Sequence, residues 1–308
     1  MVAGINGFIG AALARCLKAA GWRVVGLLRS GSSWDRLAEI AGLELIEVAA
    51  YTPDELKRAV TPVAADVVIN LAAAGVTPGV NDLMELIHGN AALAANLLQA
   101  VAGRQVRRFL HVGSCAEYAP GAIGLPMDES WPQEPASPYG VAKLTATHWA
   151  RVQALRLDVP LTVVRLFGVY GPSEAPHRLL PAIVRGLASG QGVDLTPGLQ
   201  QRDWLFVDDA ADALAQAASA DDLGPSGAVY NVCTEQAASV HDLGAAACAL
   251  LNAPAHLLRW GALPYRPDEP MWVVGDATRF RERTGWQPRW TWPDGVRATL
   301  QLSHSLAA

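Results

Sequence analysis

Tyr139 and Lys143 form the pattern Y-x-x-x-K, which could move a proton to or from a substrate oxygen. On a helix, residues four apart share one face, so the Lys143 ammonium would lie beside the Tyr139 phenol. Because a neighbouring cation favours the phenolate, we expect a lowered tyrosine pKa and a group suited to carbonyl–alcohol interconversion. Ser114 closes an apolar run, and its hydroxyl could face the same oxygen. These three residues are the predicted catalytic group.

Three glycines near the start of the chain have the spacing G-x-x-G-x-x-G, in the segment GINGFIG of residues 4–10. Glycine lets a backbone approach a pyrophosphate, and the N-terminus of the following helix offers free N–H groups. The residues predicted to bind a dinucleotide here are Gly4, Gly7, Phe8, Ile9 and Gly10. On this motif alone, a purely structural turn is the alternative. Because the strand before Gly4 is short, we expect native residues to be missing before Met1.

The end of the predicted second strand selects between NAD and NADP. An acidic residue there binds the ribose 2′-hydroxyl, whereas an arginine accommodates a 2′-phosphate. The chain reads LLRSGSS over residues 27–33, with Arg29 and Ser30 and no carboxylate. Because a guanidinium binds phosphate through charge-assisted hydrogen bonds, we predict NADP as the cofactor, with NAD as the alternative. A solvated loop arginine is the non-functional interpretation.

The elements that must position these residues alternate between strands and helices. The predicted strands are residues 23–28, 66–73, 108–113 and 161–167, and the predicted helices are residues 8–20, 90–101 and 143–157. Strands that are apolar on both faces and alternate with helices imply a parallel sheet covered on both sides. The predicted fold class is therefore α/β, a Rossmann-type doubly wound parallel sheet.

The composition of the chain changes after Gly171, where proline and tryptophan become frequent and the predicted helices and strands become shorter. We predict an NAD(P)-binding domain over residues 1–170 and a smaller C-terminal substrate-binding region over residues 171–308. Segments near residues 205–215 and 229–233 are expected to return to the first domain.

Composition argues against several classes of function. The formal net charge of −5 disfavours nucleic-acid binding, which needs clustered Lys and Arg. No apolar run is long enough to span a membrane, and four widely spaced cysteines fit a reducing compartment, so we expect a cytoplasmic protein. The seven histidines show no metal-ligand spacing, so no metal site is expected.

Eight segments, taken in order, carry a family resemblance. The sequence resembles the extended short-chain dehydrogenases/reductases of the NAD-dependent epimerase/dehydratase group, which act on nucleotide sugars. The segments are GINGFIG (4–10), DVVINLAA (66–73), FLHVGSCAEY (109–118), SPYGVAK (137–143), VVRLFGVYGP (163–172), QRDWLFVDDAADAL (201–214), VYNV (229–232) and TGWQPRW (284–290). LLRSGSSWDRL and GSCAEY are similar to the branch of 4-keto-6-deoxysugar reductases.

The resemblance implies roles for individual residues. Ser114 would hydrogen-bond the sugar oxygen, Tyr139 would be the acid or base, and Lys143 would also hold the nicotinamide ribose. The further residues implied to line the cofactor are Leu71, Ala72, Ala73, Leu166 and Phe167.

The resemblance also implies contacts beyond the cofactor. Arg202 and Arg266 match arginines that clamp the substrate diphosphate, although Arg202 could simply pair with Asp203. A homodimer is implied as well, formed by helices over residues 91–102 and 143–157, whose alanine-rich faces would permit close approach.

The sequence departs from the family pattern at several positions. The 4,6-dehydratases carry acidic residues directly after the catalytic threonine, where this chain has Cys115 and Ala116. Glu117 comes one residue later, and on an extended segment that shift points a side chain the other way. The usual asparagine before V-Y-G-P is Gly168, and the acidic residue expected after Glu47 is absent. The lack of an acid and a base at Cys115 and Ala116 disfavours a dehydratase, whereas Gly168 removes a substrate contact of the family.

We therefore expect hydride transfer from NADPH to the keto carbon of a nucleotide-linked 4-keto-(6-deoxy)sugar, with Tyr139 donating a proton to the forming alkoxide. A nucleotide-sugar epimerase with tightly bound NAD is the first alternative. A non-catalytic cofactor-binding protein is the second.

Overall fold

A computed structural model describes residues 1–76 and 82–305 of the chain, with side chains as far as residue 301. The strands are β1 (Val2–Ala3), β2 (Val25–Arg29), β3 (Glu44–Val48), β4 (Val67–Asn70), β5 (Arg108–Ser114), β6 (Leu161–Leu166), β7 (Val169–Tyr170), β8 (Val193–Leu195), β9 (Gln201–Asp203), β10 (Leu205–Phe206), β11 (Ala228–Val232), β12 (Ala237–Ser239), β13 (Leu258–Trp260) and β14 (Trp272–Val273). The α-helices are α1 (Phe8–Ala19), α2 (Pro53–Val60), α3 (Leu83–Leu86), α4 (Leu93–Val101), α5 (Pro138–Leu157), α6 (Leu179–Ala188), α7 (Val207–Ser219), α8 (Val240–Leu250), α9 (Thr278–Thr284) and α10 (Trp292–Ser305).

Seven of these strands form one parallel sheet in the order β11-β6-β5-β4-β1-β2-β3. The direction in which the chain adds strands reverses between β1 and β4. All residues of β4 and β6 are buried, as expected for strands covered on both faces. The predicted Rossmann-type doubly wound sheet is confirmed.

Neighbouring residues of β5 point into two different apolar layers. Leu110 packs in the cluster that contains α1 and α7, whereas Phe109 packs in the cluster that contains α2, α4 and α5. This alternation follows from the two-residue period of a strand. Helices therefore cover both faces of the sheet.

The helix that carries Tyr139 and Lys143 begins earlier than the predicted residues 143–157. Ser137 caps α5, since its hydroxyl accepts a hydrogen bond from the Gly140 N–H at 3.1 Å, and Pro138 occupies the first helical position. The predicted helix at residues 90–101 also starts earlier, because α3 runs through π-helical turns at Ile87–Ala92 into α4. Both catalytic candidates therefore lie in the first two turns of α5.

The expected alanine-rich contact surface is used inside the chain. Ala94 on α4 and Ala146 and Ala150 on α5 are fully buried, and the two helices pack against each other. These alanines are therefore used within the chain, and the homodimer stays a prediction. The exposed apolar side chains of α5 are instead Val141, Trp149, Val152 and Leu155.

The C-terminal part adds small sheets and a third apolar cluster. Strands β12, β9 and β14 form one sheet, and β13 pairs with β8. Helices α6, α8 and α10 enclose a cluster that includes Ile183, Leu243 and Val296. Strand β11 lies at the edge of the central sheet, and α7 packs on α1. The domain boundary at residue 170 stays a prediction.

Within residues 1–76 and 82–305, no helix is both long and apolar enough to cross a membrane. Over the same residues, no three His, Cys, Asp or Glu side chains group as metal ligands.

Candidate active site

A cleft of about 1310 Å³ opens at the carboxyl ends of the central strands. It spans the point where the strand order reverses, which is where open α/β sheets bind ligands. The sequence-predicted residues that line it are Gly4, Gly7, Phe8, Ile9, Gly10, Arg29, Leu71, Ala72, Ala73, Ser114, Tyr139, Lys143, Leu166 and Phe167. The cleft lining does not include the predicted residues Ser30, Arg202 and Arg266.

The glycine loop forms one wall of the cleft. Gly4 has a φ of +77°, and a β-carbon there would lie 2.7 Å from the Ala72 nitrogen. A β-carbon on Gly10 would overlap the Gly4 carbonyl oxygen, so α1 begins directly against the turn. No side chain caps α1 at Gly7, which leaves the first helical N–H groups available to a phosphate. This cradle fits the pyrophosphate of a dinucleotide.

The end of β2 presents two arginines to the cleft rather than an arginine and Ser30. Arg29 and Arg36 both line it, together with Ser32. The Ser30 N–H is occupied by the Val48 carbonyl at 2.8 Å. Arg36 was not predicted, and its Nε also donates to the Ser173 carbonyl at 3.0 Å. It therefore ties the β2 end of the cleft to the loop after β7.

Ser114 is held by the turn that follows β5. Its hydroxyl accepts the Ala116 N–H at 3.1 Å, and its own N–H donates to Glu117 Oε1 at 2.9 Å. The second oxygen of the fully buried Glu117 accepts Arg165 Nε at 2.8 Å. Glu117 therefore lies in the interior as expected, although Cys115–Glu117 forms a short 3-10 helix and not the extended segment that the sequence argument assumed.

The start of α5 packs directly on this turn. A β-carbon on Gly140 would overlap the Ala116 carbonyl oxygen, so glycine permits the close approach. As a result, Ser114 and Tyr139 both line the cleft, and the Ser114 hydroxyl acts to lower the pKa of Tyr139. Lys143 is buried one turn further on, and its Nζ donates to the Val112 carbonyl at 2.6 Å.

The pKa of Tyr139 shifts in the direction opposite to the one expected from the sequence. Burial raises it to about 12, although the Ser114 hydroxyl acts to lower it. Burial also lowers the pKa of Lys143. The expected lowering by Lys143 is wrong for this structure, because the cost of desolvating a phenolate exceeds the effect of neighbouring charges. Tyr139 therefore carries its proton at neutral pH and is suited to act as an acid.

The two predicted diphosphate-binding arginines meet at one carboxylate. Arg202 donates to Glu269 Oε1 at 2.6 Å, and Arg266 donates to Glu269 Oε2 at 2.7 and 2.9 Å. Arg202 does not pair with Asp203, whose carboxylate accepts hydrogen bonds from Thr234 instead. Neither arginine lines the cleft. The positive charge of Arg202 nevertheless acts to lower the pKa of the Cys115 thiol, and Cys115 does line the cleft.

Gly168 lines the cleft at the position of the missing asparagine. A β-carbon there would lie 2.5 Å from the Asp203 carbonyl oxygen. The close approach of β9 therefore leaves no room for a side chain.

A buried carboxylate in the cleft was missed by the sequence reasoning. Glu174 lines the cleft, its side chain is 8% exposed, and it accepts Arg178 Nε at 3.2 Å. Burial raises the pKa of Glu174 to about 7, against the lowering effect of Arg178. The spacing E-x-x-x-R directly after Tyr-Gly-Pro-Ser is the signal that could have indicated this pair.

Comparisons with known proteins agree with this fold and cleft. Residues 1–233 match the model of the "NAD dependent epimerase/dehydratase family". The chain is 28% identical to a dTDP-glucose 4,6-dehydratase of Neisseria meningitidis serogroup B, over 98% of this chain and 92% of that protein. It is 31% identical to the dTDP-6-deoxy-L-talose 4-dehydrogenase (NAD(P)(+)) of Kitasatospora kifunensis, over 96% of this chain and 92% of that protein.

A solved structure shows the same arrangement throughout. MoeE5, solved in complex with UDP-glucuronic acid and NAD, is 27% identical and superposes with a TM-score of 0.86 over 99% of this chain and 98% of its own. These matches confirm the resemblance seen in the sequence. The chain belongs to the NAD-dependent epimerase/dehydratase family. It is an enzyme, consistent with an oxidoreductase or an epimerase.

Proposed function

We propose that this enzyme reduces a nucleotide-linked 4-keto-(6-deoxy)sugar at the expense of NADPH, with Tyr139 as the proton donor. Hydride would reach the keto carbon, and the Tyr139 phenol would protonate the oxygen as its negative charge develops. The Ser114 hydroxyl would hydrogen-bond to the same oxygen and stabilise that charge. The product is the corresponding 4-hydroxy sugar.

The observation that carries the proposal is the combination of groups at the end of β5. Ser114 and the protonated Tyr139 share the cleft, whereas Glu117 is ion-paired in the interior with Arg165. A reduction needs one proton donor at the oxygen, which this pair supplies. Elimination of water would need a further acid and base next to Ser114, and Cys115 and Ala116 offer neither. Burial also raises the pKa of the Cys115 thiol to about 12, so it stays protonated.

The cofactor assignment is supported by the glycine cradle and the β2 end of the cleft. NADPH would supply the hydride when bound there. The free N–H groups at the start of α1 would bind its pyrophosphate, and Arg29 would bind the 2′-phosphate. Lys143 would hold the nicotinamide ribose. The name of the Kitasatospora relative describes a 4-dehydrogenase that uses NAD(P)+, which is the same reaction in the opposite direction.

The substrate diphosphate would bind to Arg202 and Arg266. Their guanidinium groups already converge on Glu269, so two cations face one anion before any substrate arrives. A diphosphate also offers pairs of anionic oxygens that these forks can bind bidentately. Binding would therefore exchange one anionic partner for another.

The decisive experiment follows NADPH absorbance with purified protein and a panel of nucleoside diphosphate 4-keto-6-deoxyhexoses, with analysis of the sugar products. Consumption of NADPH with formation of a new deoxysugar is the expected result. Interconversion of sugars without added cofactor would overturn the proposal in favour of an epimerase with resident NAD. If neither reaction occurs, the catalytic proposal is wrong.

We further propose that the enzyme acts in the cytoplasm as a homodimer built on α5. Val141, Trp149, Val152 and Leu155 are each more than half exposed along this helix, which is the pattern of a contact face. The four free cysteines support a reducing compartment. Trp149→Glu should convert the dimer to a monomer in sedimentation, and an unchanged mass would contradict the α5 contact.

A further inference from the structure

The loop between β7 and α6 carries ionisable groups that the proposed reaction does not use. Glu174 and Arg178 lie on it, and both line the cleft. Arg178 donates a hydrogen bond to the Val76 carbonyl at 3.4 Å. Arg36, which follows β2, donates a hydrogen bond to the Ser173 carbonyl of the loop at 3.0 Å. The loop is therefore fastened to the cofactor-binding half at two points.

The Glu174–Arg178 pair lies beside the predicted proton donor. A β-carbon on Gly75, next to Val76, would be 3.5 Å from the Tyr139 ring. The positive charge of Arg178 also acts to lower the pKa of the Tyr139 phenol. A sugar whose C4 oxygen meets Tyr139 would therefore lie within electrostatic reach of the Glu174–Arg178 pair.

One oxygen of Glu174 remains for a ligand. Among the described residues, Arg178 is the group that hydrogen-bonds to this carboxylate, and it contacts Oε1. The other described carboxylate in the cleft lining, Glu85, is exposed and keeps its hydration. Although Arg178 offsets part of the charge of Glu174, a carboxylate with little access to water gains from a hydroxyl donor and repels a second carboxylate.

We propose that Glu174 determines substrate class, by accepting a hydrogen bond from a sugar hydroxyl and excluding nucleotide sugars that carry a carboxylate, the hexuronates. This inference rests on the proposed function, because it assumes that a nucleotide sugar occupies the cleft. It predicts that a neutral hexose or deoxyhexose binds and that the matching hexuronate does not bind well.

The pH dependence gives the inference a specific signature. With a pKa of about 7, Glu174 is about nine-tenths ionised at pH 8 and about one-tenth ionised at pH 6. Rejection of a hexuronate, whose own carboxylate is ionised throughout, should therefore strengthen as pH rises. The other charged or titratable groups that line this part of the cleft are Arg178, His177, Arg36, Glu85, His88, Tyr139 and Lys143. The comparison is therefore made between variants at each pH.

The test measures binding of UDP-glucose and UDP-glucuronate, and of their dTDP counterparts, to the NADPH-loaded protein at pH 6 and pH 8. The variants are Glu174→Gln, which removes the charge, and Glu174→Asp, which keeps it. Glu85→Gln is the matched control at the exposed carboxylate. At pH 8 the wild type should prefer the glucose form by at least about tenfold more than Glu174→Gln does. Glu174→Asp and Glu85→Gln should keep the wild-type preference, and at pH 6 the difference between wild type and Glu174→Gln should shrink.

The outcomes separate this inference from the proposed function. If both sugar forms bind and Glu174→Gln leaves their affinity ratio unchanged at pH 8, the specificity role is wrong and the reductase proposal stands. If neither nucleotide sugar binds to the wild type, both are wrong. Loss of the preference in Glu174→Asp as well as in Glu174→Gln would also contradict a role for the charge.

Discussion

The two sides of the cleft hold their functional groups in different ways. On the side of the glycine loop, the groups are backbone N–H groups and buried side chains fixed by close packing, as at Gly4 and Gly140. On the opposite side, the groups are arginines held by carboxylates: the Arg178–Glu174 pair lines the cleft, and the Arg202–Glu269 pair lies outside its lining. Packing leaves a group one position, whereas an ion pair can exchange its partner.

This difference has a consequence for specificity. A dinucleotide fits the first side without displacing any charged group. A substrate diphosphate must compete with Glu269, and a sugar must satisfy Glu174. We infer that binding of the dinucleotide core depends on shape, with Arg29 adding a charged contact to the 2′-phosphate, and that substrate choice depends on charge.

Tyr139→Phe should reduce turnover by about a thousandfold, because it removes the proton donor and keeps the ring packing. Cofactor binding should be unchanged. Steady-state kinetics and NADPH titration of the same variant check both statements. Turnover within tenfold of the wild type would remove Tyr139 from the mechanism.

Gly4→Ala should abolish tight cofactor binding, since its β-carbon would meet the Ala72 nitrogen at 2.7 Å. Gly21→Ala is the matched control, because Gly21 has nearly the same φ of +80° and no atom within 4 Å of a built β-carbon. The control should lose about 1 kcal/mol of stability through backbone strain and keep its cofactor affinity. Cofactor titration and thermal unfolding of both variants make the measurement. Equal cofactor affinities would contradict a role for shape.

The side that depends on packing is also the side that the sequence predicted well. Continuous apolar strands and the glycine spacing determine the strand order, and the strand order brings residues 4–10, Ser114 and the start of α5 together. The signals for the true start of α5, Ser137 followed by Pro138, were also present. What the sequence could not supply was burial, and burial decides that the pKa of Tyr139 rises.

The side that depends on ion pairs was predicted less well. Arg202 and Arg266 were singled out by resemblance, but the carboxylate that joins them was not. Glu269 lies close to Arg266 in sequence and far from Arg202. Such a pairing depends on how the loop after β13 folds back on β9, which no local pattern specifies. Glu174 was overlooked because a glutamate four residues before an arginine is usually a solvated pair.

Arg29→Ala should weaken NADPH binding by about tenfold or more and leave NADH binding almost unchanged, because the guanidinium would contact only the 2′-phosphate. Arg23→Ala is the matched control, since Arg23 lies just before β2, at the opposite end of that strand from Arg29, and pairs with Glu44. Fluorescence titration with both cofactors gives the comparison. An equal loss for NADPH and NADH would contradict the NADP assignment.

The smallest effects should distinguish the two arginines at Glu269. Arg202 is 17% exposed and Arg266 is 69% exposed, so the same contact to a diphosphate is worth more at Arg202. Arg202→Ala should raise KM by about tenfold with little change in kcat, and Arg266→Ala should raise it by only a few fold. Neither variant should alter NADPH affinity, whereas Gly4→Ala should alter it strongly. If Arg202→Ala weakened the cofactor as much as the substrate, the two sides of the cleft would not be separable, and the contrast between packing and charge would fail.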